Sequence, residues 1–283
     1  MFGKLIIYIS SFTFFLSFLL FIFAEYYQNH RYLKYAKISF FTATVSVLLA
    51  SLFLIFNIFS HNFTLTYVWS YSSRNLPYLL LLSTFYAGQE GSFLLWALWM
   101  SLVGLFFFYY LKKHQLGYLP LSFFSLAVFF IILIIIFKSP FESIWESFPE
   151  SNMPKDFIPP DGRGLNPILE NYWIAIHPPI LFLGYSLVTV PFALLLTSFL
   201  EKNFDKFTIA ASFWSLIAAG ILGLGIMLGG FWAYETLGWG GFWGWDPVEN
   251  SSLVPWIFVT ALVHTLLIQR IKSSSFKMSF LLS

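Results

Sequence analysis

In the stretch 231–256, FWAYETLGWGGFWGWDPVENSSLVPW, four of the chain's eleven tryptophans fall between 232 and 245: Trp232, Trp239, Trp243 and Trp245. Gly238, Gly240, Gly241 and Gly244 are interleaved with them. Trp offers a broad apolar face with one N–H donor and favours the membrane–water boundary. Gly lets the backbone turn tightly and lie against a ligand. Such a mixture suits neither a helix interior nor a strand. Two readings are open: an aromatic belt, or an interfacial platform for something flat and aromatic. A belt does not account for the polar ending Asp246-Pro247-Val248-Glu249-Asn250-Ser251-Ser252. Asp246 and Glu249 sit where a new helix starts, which suits its positive end and its unpaired N–H groups.

Outward from this stretch the chain is that of a polytopic membrane protein. It is 58% hydrophobic and 10% charged, with a mean hydropathy of +0.76, far from the balance of a soluble domain. A formal charge of +2 gives no basis for a nucleic-acid partner. With no cysteine, the chain carries no disulfide, thiolate metal site or thiol nucleophile of its own. The N-terminus is apolar from Leu5 and lacks a basic leader and a cleavage site, so it reads as a retained first span. The 37 Phe, with many Ile, Tyr, Ser and Asn, point to an AT-rich, organelle-type genome.

A bilayer crossing needs roughly 20 apolar residues. Candidates lie near 5–24, 38–59, 92–111, 119–137, 178–200, 208–231 and 252–270, which predicts an all-α single transmembrane domain over 1–283. Loops on one side, with the C-terminal tail, carry Arg31, Lys34, Lys37, Lys112, Lys113, Lys202, Lys206, Arg270, Lys272 and Lys277. The other side carries Lys4, Arg74, Lys138, Lys155 and Arg163. Ten against five accounts for all fifteen basic residues and places the N-terminus outside and the C-terminus inside. Segments 60–91, 138–177 and the Trp-rich stretch then share the outer side. Leu79 to Phe85 is too short to cross and is expected re-entrant or interfacial. PFESIWESFPE reads as a solvated turn, and Arg74 and Glu90 as solvated loop charges, with ligand or partner binding the alternative. Pro178 and Pro179 suit a helix entrance, which puts His177 at the membrane surface. Gly225 and Gly229 have the GxxxG spacing of close helix packing. His264 lies 14 residues past Asn250, roughly 20 Å into the bilayer, where an ionisable residue marks function.

WGGFWGWDPVENSSLVPW closely resembles the "WWD" signature of the haem-handling membrane proteins of cytochrome c maturation, and its DPVEN…PW ending resembles the CcmF haem lyase branch. AGQEGSFLLW, DGRGLNPIL, HPPILFLGYS and WIFVTALVH are similar to further family runs, most specifically from Asn166 to His264. The resemblance implies that haem rests on Trp232, Trp239, Trp243 and Trp245, with His177 as one axial ligand to its iron. It implies a second, transmembrane haem b on His264. Arg163 becomes a propionate partner, since guanidinium binds carboxylate bidentately. Asp246 and Glu249 are read first as helix caps, with orienting the platform or contacting a partner the alternative. Each family haem has two axial histidines, and His30, His61 and His114 do not match the missing pair. The chain also stops soon after the seventh span, so the resemblance implies the N-terminal part of a CcmF split between chains. The C-terminal half, a CcmE-like haem chaperone, apocytochrome c and a CcmH-like thiol-reducing protein are the implied partners. The mitochondrial inner membrane, or a bacterial cytoplasmic membrane, is the implied site, with the WWD segment facing the intermembrane space or periplasm. A haem-delivery protein of the CcmC or CcsA kind and a non-catalytic membrane scaffold are the alternatives.

Overall fold

Long runs of Phe, Leu and Ile must satisfy their own backbone polar groups in lipid, and helices do so. The computed structural model describes residues 2–151, 154, 157–238 and 240–271. Its α-helices are α1 (Phe2–Tyr26), α2 (His30–Phe59), α3 (Thr66–Tyr71), α4 (Tyr78–Ser83), α5 (Gln89–Lys113), α6 (Leu119–Phe137), α7 (Ile144–Ser147), α8 (Trp173–Glu201), α9 (Phe204–Thr236) and α10 (Pro247–Ile271). The seven long ones are apolar and long enough to span a membrane, as the sequence predicts. They overrun the apolar windows, because a helix continues through polar residues at its ends. α2 begins at an Asn29 cap whose side chain accepts from Arg31 N–H.

α1 packs on α2 and α6, α5 on α6 and α8, and α9 lies between α8 and α10. The α8–α9 contact is close because glycine permits it. A Cβ on Gly184 would stand 2.7 Å from Leu222 Cα, and one on Gly225 2.9 Å from Leu181 Cα. The α10 side is less covered. Only 22% of the apolar window of α9 and 28% of that of α10 are buried, against 56% for α5 and α8.

At the end of the bundle where α2 gives way to α3, two loops are stitched together. Thr66 N–H donates to Glu142 O at 2.9 Å, Ile144 N–H to Thr64 O at 3.0 Å and Arg163 N–H to Trp69 O at 2.8 Å. Lys4 pairs with Glu146 at 2.9 Å, so the N-terminal end of α1 shares this end. PFESIWESFPE is therefore more than a solvated turn: Phe141 and Ile144 are buried plugs, and Ser143 with Glu146 forms a capping box for α7. The segment expected to be re-entrant or interfacial is α4 with a 3₁₀ turn at Thr84–Tyr86, packed on α2 and α8. Lys155, Lys272 and Lys277 lie outside the described residues.

Candidate functional site

The first turns of α8 set the site. The helix begins at Trp173, so Pro178 and Pro179 are inside it rather than at its entrance. Proline has no N–H to give to the carbonyl four residues earlier. The carbonyl of Ala175, left without its helical donor by Pro179, accepts instead from Tyr86 OH at 3.3 Å. A helix that starts before the apolar window thus keeps its shape through a borrowed donor.

This geometry swings His177 against α9. Its Nδ1 lies 2.9 Å from Gly225 O. A carbonyl only accepts, so Nδ1 carries the proton and Nε2 keeps its lone pair. The ring rests on Gly229, where an added Cβ would come within 2.6 Å of Cε1 and 3.1 Å of Nε2. The GxxxG pair is therefore a packing device, and its second glycine also holds the imidazole.

His177 borders two cavities. One, of about 280 Å³, is lined by Gly229, Gly230, Trp232, Trp243, Asp246 and Glu249 among others. The second, of about 880 Å³, runs along α8 from His177 to Thr189, between α5 and the start of α10. Tyr185 of α8 and Ser251 of α10 share its wall. The Nε1–H groups of Trp232 and Trp243 are sealed from solvent without an acceptor among the described residues. The residues present fit a haem: a neutral imidazole nitrogen beside flat indoles and unpaired donors suits a planar macrocycle that carries carboxylates.

The platform is held from both sides. Glu249 Oε2 accepts from Gly244 N–H at 2.8 Å and Asp246 N–H at 3.3 Å, while Asp246 Oδ1 accepts from Glu249 N–H at 2.7 Å. This reciprocal cap starts α10, and Asn250 Nδ2 adds a bond to Trp245 O at 3.1 Å. Trp245 takes a left-handed φ of 57°, a conformation unfavourable for a bulky residue, and its side chain is 70% exposed. Trp243 meets it edge-on at 5.9 Å. On the α8 side, Trp173 Nε1–H donates to Glu235 at 2.6 Å and stacks on Phe231 at 5.8 Å. Phe242 stacks on Tyr234 at 4.4 Å.

Trp232, Trp243, Asp246 and His177 are thus brought together. Trp239 lies outside the described residues. Arg163 stacks over Trp69 at 4.3 Å and lines neither cavity beside His177. His264 is elsewhere: it is exposed on α10 in a stripe with Val254, Ile257, Leu267 and Ile268, all at least 40% exposed. It has no hydrogen-bond partner among the described residues. Sequence reasoning missed Tyr86, Glu235 and the second role of Gly229. The double proline is the signal for a donor such as Tyr86, because it announces orphaned carbonyls. Nor is Glu90 a solvated charge: its Oε2 is buried without a partner among the described residues, and its charge, after burial, helps raise the pKa of Tyr71.

Against known proteins, the family model for cytochrome c assembly protein matches residues 86–282. The chain is 36% identical over 244 residues to the cytochrome c-type biogenesis protein CcmF of Haemophilus influenzae, covering 83% of this chain and 35% of that protein. It is 36% identical over 226 residues to CcmF of Escherichia coli K12, covering 76% and 32%. A solved structure named cytochrome c heme lyase CcmF superposes with a TM-score of 0.80 at 28% identity, covering 99% of this chain and 44% of that one. The chain spans about a third of the length of the curated relatives it matches.

Proposed function

The chain belongs to the cytochrome c assembly protein family, with CcmF among its relatives, and we propose that it is the N-terminal subunit of a haem lyase that attaches haem to the CXXCH thiols of apocytochrome c. One observation carries this reading: His177 gives its Nδ1–H to Gly225 and keeps Nε2 beside the cavity of Trp232 and Trp243. An imidazole fixed in that tautomer is an axial ligand in waiting.

In this reading the Trp-rich segment faces the intermembrane space or periplasm and receives haem, as substrate, from a membrane-anchored chaperone. The indoles bind its flat face, and the Asp246–Glu249 cap keeps the segment in place. Each substrate thiol adds across one vinyl group, forming a C–S and a C–H bond with no net oxidation. The chain's own residues contribute position, holding reactants together away from water. With no cysteine here, both thiols come from the apocytochrome and are kept reduced by a thiol-reducing partner.

His264 belongs to a second site. An imidazole exposed within a spanning helix is costly unless something completes its surroundings. The reading assigns that completion to another CcmF chain, which supplies a histidine opposite it and another opposite His177. A haem b held there supplies electrons to the platform when bound.

The test uses the native assembly, haem-loaded chaperone and a reduced apocytochrome, with covalent haem scored on a denaturing gel. Wild type is expected to form the haem–protein band and His177→Ala to lose it. Continued attachment by His177→Ala would remove the reading.

A further inference from the structure

A third cavity, lined by neither His177 nor His264, lies along α5, α8 and α9. It is a groove of about 570 Å³, walled by Trp99 and Phe106 of α5 and by Trp214 and Ile217 of α9, with Leu183 and Leu187 of α8 as its floor. That volume is within the roughly 300–1,000 Å³ of small-molecule sites. The stretch of α5 that lines it, from Trp99 to Lys113, rises about 21 Å at about 1.5 Å per residue. One leaflet's share of a hydrocarbon core is about 15 Å. The groove is therefore long enough for a single leaflet's acyl chains with the headgroup region beyond them.

Its inner mouth is basic. Lys113, in the last turn of α5, lines the groove and has no hydrogen bond or ion pair among the described residues. Its neighbours are engaged differently: Lys206 is paired with Glu201 at 2.8 Å, and Lys37 sits 4.0 Å over the Tyr118 ring. Anionic phosphate at the membrane surface is the natural counter-ion of a free ammonium at that level.

A second feature is the aromatic wall at the level above Lys113. Trp214 lines the groove and is 6% exposed. Its ring meets Tyr110 at 5.6 Å and Phe107 at 5.9 Å, one to two turns above Lys113. With a phosphate on Lys113, the glycerol ester carbonyls of a phospholipid fall at that depth. We propose that the α5–α8–α9 groove binds one anionic phospholipid, with its acyl chains between Trp99 and Ile217, its ester region at Trp214 and its phosphate at Lys113.

The experiment measures phospholipid retained by the native assembly after exchange into detergent, by native mass spectrometry, with phosphatidylglycerol and phosphatidylcholine as added probes. Wild type is expected to keep phosphatidylglycerol and not phosphatidylcholine. Lys113→Gln should lower retention at least tenfold, whereas Lys34→Gln should leave it unchanged. Ile217→Trp, which fills the groove, should lower it as well. A photo-crosslinker at Phe106 should capture lipid. Equal retention of the two lipids, no effect of Lys113→Gln, or capture of polypeptide at Phe106 would overturn the assignment.

Discussion

His177 and His264 stand on neighbouring parts of one bundle and are treated in opposite ways. His177 is seated: one nitrogen is bonded to Gly225 O, its ring lies against Gly229, and aromatic walls surround its free side. His264 is presented: it stands exposed among apolar side chains on α10, one of the two least buried spanning helices. On the proposed reading the difference separates two kinds of half-site. One would be built by this chain and completed by an opposing ligand from elsewhere. The other would be a surface that a second polypeptide turns into a site.

Several substitutions would break or sharpen that contrast. The largest effect is expected at Gly229. Gly229→Val would drive the His177 ring from its seat, and loss of a ligand's supporting contacts costs on the order of 10–100-fold in affinity. Haem retention on the platform, titrated spectroscopically in the native assembly, should fall by that order. Gly238→Ala, where an added Cβ meets nothing within 4 Å, should leave retention unchanged. If both variants behave alike, His177 is not seated by α9.

A smaller effect is expected at Tyr86, which reaches His177 only through α8. Tyr86→Phe removes the donor to Ala175 O, and a lost hydrogen bond is worth about 0.5–1.5 kcal/mol. Platform haem affinity should therefore weaken several-fold, while a b-type signal tied to His264 stays at the wild-type level. Asp246→Ala removes the α10 cap, a change of about 0.5–2 kcal/mol. Hydrogen exchange should show the amides of Glu249 and Asn250 opening more readily, and a change spread over α1 and α2 would count against a local cap.

The smallest effect is expected at Lys4–Glu146, far from either histidine. The Ser143 N–H first, and Lys4 with it, hold the Glu146 carboxyl below its ordinary 4.5. A lowered carboxylate pKa gives stability that is present above the unfolded value and is lost as pH falls through the folded one. The clamp should thus be intact at pH 7 and weaken only below about pH 4.5. Glu146 is 53% exposed, so Glu146→Gln should cost no more than about 1 kcal/mol at neutral pH. A larger loss in a thermal-shift assay would show that the outer loops depend on this tie.

Much of this was legible in the sequence. Hydropathy marks the seven spans, and the DPVEN run marks the start of α10, where Asp246 and Glu249 cap each other as residues of their type and spacing should. The ends were less legible. Hydropathy reports where lipid is tolerated rather than where backbone bonds stop, so Arg31, Lys34 and Lys37 lie within α2 although they fall before its apolar window. The double proline misleads for a related reason. Its ordinary place is a helix entrance, and only the fold brings Tyr86 to the orphaned carbonyl. For Arg163, the charge suggested a carboxylate partner, whereas chain reversal at Gly164, with φ +80°, accompanies its stacking on Trp69. That His177 is sheltered and His264 exposed depends on helix rotation, and nearly continuous apolar sequence carries no periodic signal for rotation.

The central claim is that the two histidines serve two different haem sites, and a reduced-minus-oxidised spectrum of the purified native assembly tests it most directly. His264→Ala should remove a b-type signal and leave trapping of chaperone-delivered haem on the platform. His177→Ala should abolish that trapping and leave the b-type signal. Loss of both features in either single variant, or no haem attributable to this chain in the wild-type assembly, would contradict the account.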